Sequence, residues 1–363
     1  MNYTTQQKLT ILLASIKGAS TPRLEKLLSL YPDVADIFRH ADSPDFPYPM
    51  LTPALKEQNK DSLEKCLKRL ETNEITVLFR DSHPNIFAFK SAPPLLYVKG
   101  NVELLSKGGV AIVGSRKCSR YGHEVAYSLG KAAAQGGITV ISGGAEGIDS
   151  AALMGALENG GKVIAVFGFG MDKIYPAGNK ELFARIAQNG ALVSEYPLGT
   201  PAYQSHFPMR NRIISGLCDM LAVVEASVKS GTSTTVSWAH EQGKSIACVP
   251  GNITSEQSQG TNKLLKEGAR IITCPEDMLE YFGKGWVRSD PELTELSPEE
   301  YEFVKAFAQE EELSLDELAQ KCNNSPGALA AQLTMLELKG VLLRAQGSIY
   351  KLNRSKKYTL KDR

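Results

Sequence analysis

Seven short apolar runs constrain this chain more than any other feature: "VAIV" from Val110, "ITVI" from Ile138, "KVIAVF" from Lys162, "ALV" from Ala191, "MLAVV" from Met220, "SIACV" from Ser245 and "RIIT" from Arg270. They are too short for helices and alternate with helical patterns. That predicts an α/β fold, a doubly wound and mostly parallel sheet whose buried strands carry helices on both faces. Such sheets bind ligands beyond the carboxyl ends of their strands. Function is therefore sought in the stretches that follow the runs: "GSRKCSRYG", "SGGAEGID", "GFGMDKIYP", "SEYPLG", "EASVKSGTS" and "PGN", all rich in Gly, Ser, Thr or Pro.

The 363 residues leave room for further domains on either side. In the N-terminal part, "QQKLTILLASIKG" and "TPRLEKLLSLY" carry apolar residues at helical spacing around the turn "KGAS". Thr21 is the expected N-cap of the second helix, with Pro22 at its first position. The pair fits a helix-hairpin-helix or SAM-like domain whose turn amides hold a phosphate, and fits equally a small helical domain with no ligand. A Pro-rich passage, Asp81 to Asn101, leads into the sheet. From Ser297 onward, Ser297 with Glu300 and Ser314 with Glu317 predict two capping boxes. A third helix begins at Ser325 and Pro326, and two strands flank Gln346 and Gly347, which together predict a winged helix. The only charges on its third helix are Glu337 and Lys339, so a structural or protein-contact role is preferred to base reading. In the tail, "NRSKKYTLKDR", a solvated end is preferred to contact with nucleic acid. The expected boundaries are a helical domain at 1–75, the core at 76–285, a linker at 286–296, the winged helix at 297–353 and a basic tail at 354–363.

Lys and Arg total 41 against 40 Asp and Glu, a formal charge of +1, so a polyanion has to be held by a local patch. The six cysteines include no C-x-x-C pair, which suits reduced thiols in a cytoplasmic protein. The five histidines show no ligand spacing, and no metal is expected. The start "MNYTTQQKLT" lacks a basic n-region, and no apolar run approaches the ~18 residues of a span, so neither a leader nor a membrane helix is expected. There is no G-x-x-x-x-G-K-[ST] loop, which argues against ATP hydrolysis of that type, and no cofactor is expected. Ser142, Ser194 and Ser230 have no histidine at a telling position. His206 is the only candidate base, and a lone histidine is usually structural, so no catalytic residue is assigned.

Binding signals are stronger. After "VAIV" a dinucleotide site would continue G-x-G-x-x-G, but here Gly114 is followed by Ser115, Arg116, Lys117, Ser119 and Arg120. Ser142, Gly143, Gly144 and Gly147 form a turn whose amides, at the start of a helix, suit an anion. Asp149 would repel phosphate there, so it is expected to cap the helix or tie a neighbouring loop. Ser230, Gly231 and Thr232 repeat the turn-to-helix logic. In "HFPMRNRIISGL", Phe207, Arg210, Asn211 and Arg212 suit a polyanion whose bases stack; the competing reading is an arginine pair that braces the loops. With Arg116, Arg120, Lys173 and Lys180 the strand-end edge becomes a basic trough. One mononucleotide has too little phosphate to use all of it, whereas a strand of nucleic acid has enough.

In order along the chain stand "GSR" with "S-x-Y-G", "SGGAEGID", "GxGxD-x-x-YP-x-x-N", "SEYP", "FPxRNRII-x-GL", "VVEA-x-x-x-SGT" and "VPGNI-x-x-x-x-x-x-G-x-N-x-L-x-x-GA". Over about residues 85–283 this resembles the DNA-processing protein A (DprA/Smf) family. The resemblance implies an extended Rossmann-like domain that binds single-stranded DNA, forms a homodimer and helps load RecA recombinase in natural transformation, without being an enzyme. It implies that Gly114, Ser115 and Arg116 lie in a DNA-binding loop, that the turns at 142–147 and 230–232 face phosphates, and that Arg210 and Arg212 form the "RNR" motif. Lys180 follows "YP-x-x-N", although Ala177 leaves the preceding position neutral. Met154 stands where a histidine is common in the family. Phe169 replaces a small or polar residue, and it either stacks on a base or packs inward. The rival reading is a phosphoribohydrolase with P-G-G-x-G-T-x-x-E. Thr235 stands in place of its glutamate, a group that commonly contributes ~10²–10⁴-fold. A third reading is an interaction protein whose loops bind a nucleotide only as a signal.

Overall fold

The computed structural model describes residues 3–228, 230–284, 293–307, 312–322, 324, 326–345, 348–353 and 357–360. It divides into two units, Met1–Trp286 and Val287–Arg363. Five helices open the first: α1 (Thr5–Ser15), α2 (Thr21–Leu30), α3 (Val34–Arg39), α4 (Thr52–Lys56) and α5 (Lys60–Thr72). Thr4 and Gln7 close a capping box on α1. Helix α2 is entered from Ser20, whose backbone is extended, and Thr21 is already inside the helix. Thr21 is therefore not the expected N-cap; its hydroxyl donates to Glu195 Oε2 at 2.8 Å. Ile11, Leu13, Leu24, Leu27 and Ile37 build a core with residues of two strands, β1 (Ile75–Phe79) and β2 (Leu95–Gly100).

All seven apolar runs contribute strands to one sheet. In chain order come β3 (Val110–Val113), α6 (Arg120–Gln135), β4 (Val140–Ser142), α7 (Ile148–Glu158), β5 (Val163–Phe167), α8 (Lys180–Asn189) and β6 (Ala191–Ser194). Then follow α9 (His206–Leu217), β7 (Met220–Val223), α10 (Thr232–Glu241), β8 (Ser245–Cys248), α11 (Glu256–Lys266), β9 (Arg270–Ile271) and α12 (Pro275–Tyr281). The sheet order is β1-β2-β6-β5-β4-β3-β7-β8-β9. Strands β3 to β9 pair in parallel, and β1 and β2 add an antiparallel edge beside β6.

Both faces of β3 to β7 are buried, which explains why their runs are apolar throughout instead of alternating, while β9 at the sheet edge is exposed. Val110, Ile112, Val140, Val163 and Ala165 face one core, while Ala111, Val113, Ile141, Ile164 and Val166 face the other. Truncating a fully buried member such as Ile112 to alanine would cost roughly 2–5 kcal/mol. Strands β3 to β6 advance to one side of β3 and β7 to β9 to the other, so the winding reverses between β3 and β7. Crevices for ligands open at that reversal.

The second unit has its own core, which includes Phe303, Phe307, Leu318, Leu329, Leu333, Leu336, Val341 and Tyr350. Its elements are β10 (Leu293–Leu296), α13 (Pro298–Ala306), β11 (Glu312–Ser314), α14 (Leu315–Lys321), α15 (Pro326–Leu338), β12 (Leu342–Arg344), β13 (Ile349–Leu352) and β14 (Lys357–Leu360). Strand β13 pairs antiparallel with β11 and β12, and β10 pairs in parallel with β14. This is the winged-helix arrangement. Both expected capping boxes form, Ser297 with Glu300 and Ser314 with Glu317. The expected cap at Ser325, the turn at Gln346 and Gly347, and Lys356 in the tail lie outside the described residues.

Candidate nucleic-acid interface

The loop between β3 and α6 sits at the reversal point. Ser119 caps α6 by accepting the Gly122 N–H at 3.0 Å, and its own hydroxyl donates to Glu225 Oε1 at 2.6 Å. The Ser115 N–H donates to the Glu225 carbonyl at 2.7 Å, and the Ile148 N–H donates to the Ser115 carbonyl at 3.2 Å. With the backbone tied at both ends, Arg116, Lys117 and Arg120 are exposed. Arg120 is held by Glu124 at 2.8 Å. Arg116 makes no ion pair among the described residues; its guanidinium lies 5.1 Å from the Phe207 ring centre.

Next to it is the glycine turn after β4. Ser142 is buried and donates to the Ile112 carbonyl at 2.7 Å, so its expected role facing phosphate is corrected: strand pairing turns its hydroxyl into the sheet. Asp149 ties the turn together, accepting the Gly143 and Ala145 N–H groups at 3.0 and 3.4 Å. Burial raises its pKa, opposed by the Arg210 guanidinium and these two amides. Gly144 and Gly147 have φ of +65° and +80°, a backbone that side chains rarely adopt. The N–H groups of Arg116, Gly144, Glu146 and Gly147 have no acceptor among the described residues. Beside the N-terminus of α7 they form a nest suited to an anion.

Helix α9 supplies the third wall, and its geometry separates the two arginines of "RNR". Residues three apart share a helix face, so Phe207 and Arg210 turn toward the glycine turn, while Arg212, two residues on, points away. Arg210 is buried and donates to the carbonyls of Gly143, at 2.7 Å, and of Val166. Burial lowers its pKa to about 10, with Asp149 opposing, so it stays a cation at neutral pH. Its guanidinium lies 5.8 Å from the Phe207 ring centre, on which Arg116 also rests. Arg212 is a correction to the expected trough. It is 2% exposed and makes a two-pronged pair with Glu195 at 3.0 and 2.7 Å, the carboxylate that Thr21 also reaches. Asn211 donates to Thr234 Oγ1 at 2.6 Å and so joins α9 to the first turn of α10. His206, the one candidate base, stacks on Tyr196 with centroids 4.0 Å apart and bonds the Gly168 carbonyl at 3.1 Å, which is a structural role.

A shallow depression of about 30 Å³ is lined by Arg116, the Gly143–Glu146 turn, Phe169, Tyr175, Pro176, Phe207 and Arg210. Sites that enclose a small molecule run to ~300–1,000 Å³, so this depression is too small to enclose a nucleotide. Phe169 packs inward, 1% exposed and stacked on Phe167 at 4.6 Å. Tyr175, which sequence reading did not single out, forms the exposed aromatic rim 5.6 Å from Phe207. Lys173 and Lys180 are exposed; Lys173 is 3.9 Å from Asp172. Asn179, just before Lys180, donates to the Gly144 carbonyl at 3.0 Å and so secures the turn.

The third expected element opens elsewhere. Ser230 and Thr232 line a separate cavity of about 240 Å³ together with Val236, Lys263 and Leu264. Thr232 is buried, Gly231 is exposed, and the buried Ser230 hydroxyl has no partner among the described residues. Thr235, at the position of the hydrolase glutamate, is 2% exposed inside α10.

Comparison with known proteins extends this geometry. A family model described as DNA recombination-mediator protein A matches residues 74–283, and one for the DprA winged helix domain matches residues 288–348. The chain is 35% identical over 308 residues to Protein Smf of Escherichia coli, which covers 82% of each chain. Its structure matches the X-ray structure of DNA processing protein A from Streptococcus pneumoniae with a TM-score of 0.66 and 32% identity, over 77% of this chain and 98% of the other. It also matches DNA processing protein A from Helicobacter pylori, whose structure describes a single-stranded DNA binding mode, with a TM-score of 0.53 and 30% identity over 58% and 95% of the two chains.

Proposed function

Because the chain belongs to the DNA recombination-mediator protein A (DprA/Smf) family, a family of DNA-processing proteins, we propose that it binds single-stranded DNA along the strand-end edge of its sheet and passes it to RecA recombinase. The observation that carries this reading is the arrangement of Arg116 and Arg210 against Phe207 beside the open amides of the glycine turn. Cations and amides take phosphates without reading sequence, and the exposed Tyr175 rim offers a stacking surface to an unpaired base. Duplex DNA has its bases stacked already and presents none of them to that rim.

In this reading Gly114, Ser115, Arg116, Gly143, Gly144, Gly147 and Phe207 form the central seat, braced from beneath by the buried Arg210, with Lys173 and Lys180 extending it. Protein at work in natural transformation would act in the cytoplasm as a homodimer, so that two seats hold one strand with higher effective affinity. Anisotropy of labelled oligo-dT with wild type and Arg116→Ala tests the seat. Binding tenfold or more weaker in the variant, at about equal stability, is expected. Equal affinity for wild type and variant would remove the seat from this loop.

A further inference from the structure

Glu225 closes the apolar run of β7, and its carboxylate is buried, 3% exposed, with no cation within ion-pair distance among the described residues. A buried carboxylate without a counter-ion is costly unless hydrogen bonds compensate it. Here both oxygens are used: Oε2 accepts the Ser119 N–H at 2.8 Å and Oε1 accepts the Ser119 hydroxyl at 2.6 Å. The backbone carbonyl of the same residue accepts the Ser115 N–H. One residue thus grips the β3–α6 loop at Ser115 and again at Ser119, on either side of Arg116.

The two glycines that bound this loop fit around that grip. A Cβ on Gly114 would stand 2.7 Å from the Glu225 carbonyl, and a Cβ on Gly122 would run into its carboxylate. The loop's glycines therefore make room for a glutamate, where those of a dinucleotide loop make room for pyrophosphate. We infer that Glu225 is a positioning residue for DNA binding: it touches no DNA itself, and holds the Arg116 loop in the conformation that turns the guanidinium and the free Arg116 amide toward the strand. This rests on the proposed single-strand binding.

The test compares Glu225→Ala, Glu225→Gln and Ser119→Ala with wild type in oligo-dT binding across a salt series, alongside urea denaturation of each. Glutamine can accept the Ser119 amide and donate to its hydroxyl, so it can keep the grip. Glu225→Ala is expected to weaken binding about tenfold and to lower the salt slope by about 0.7, the share of one phosphate contact. Glu225→Gln is expected to recover most of that slope, and Ser119→Ala, which leaves β7 intact, to reproduce part of the loss. Should Glu225→Ala fail to fold, the Ser119→Ala and Glu225→Gln pair still decides the matter. Variants that lose stability but keep the wild-type slope would overturn the inference. Wild type that fails to bind oligo-dT at all would overturn the underlying reading instead.

Discussion

Two arginines two residues apart have opposite surroundings in this protein, and the difference is a matter of helix phase. Arg210 shares a face with Phe207 and reaches the glycine turn, whereas Arg212 turns to the buried Glu195. A sequence shows "RNR" as one motif; it does not show where Glu195 will stand, so both residues read as phosphate ligands. Removing Arg212 leaves the buried Glu195 carboxylate without its cation, with the Thr21 hydroxyl still donating to it. Arg212→Ala is therefore expected to lose about 3–5 kcal/mol in urea denaturation while leaving the salt slope of DNA binding unchanged in folded protein. Arg116→Ala should do the opposite: stability within about 0.5 kcal/mol of wild type and a slope lower by about 0.7. A reversed pattern would return Arg212 to the interface. Arg116 was legible because a cation immediately after a buried strand has no place in the core. Ser142 was misread because the hydroxyl of a residue ending a strand can turn either way.

At the scale of elements, the inner parallel strands β3 to β7 were legible because burial on both faces leaves an unbroken apolar signature. Strands β1 and β2 were not: their runs abut a helical segment and a Pro-rich passage, and their packing under α1 and α2 depends on contacts distant in sequence. The glycine turn was recognised as an amide cradle, but the partners of its amides were not, since Asp149 occupies two of them. Gly147 joins this turn to the Arg116 loop. With φ at +80°, an added Cβ would stand 2.7 Å from the Arg116 carbonyl and clash with that of Ser115. Gly147→Ala should therefore cost about 1–3 kcal/mol of stability by thermal or urea denaturation and weaken single-strand binding as well. Intact binding would mean that the two loops act independently.

Across the whole molecule, a formal charge of +1 cannot by itself attract DNA, so the proposed binding rests on the patch at the reversal of the sheet. The second unit carries the exposed apolar residues Met335 and Leu338 on α15, where a base-reading winged helix would carry polar ones. Residues 1–286, which hold their own cores, are therefore expected to fold alone and to bind oligo-dT with the salt slope of the full chain. A shorter slope would give the second unit phosphate contacts of its own.

The most direct test is fluorescence anisotropy of a labelled oligo-dT and of its duplex, each titrated with the full chain at several salt concentrations. Tighter binding of the single strand, falling linearly in log–log form as salt rises, is the predicted result. Equal affinity for the duplex, or binding that ignores salt, would contradict a trough built of cations, amides and an aromatic rim.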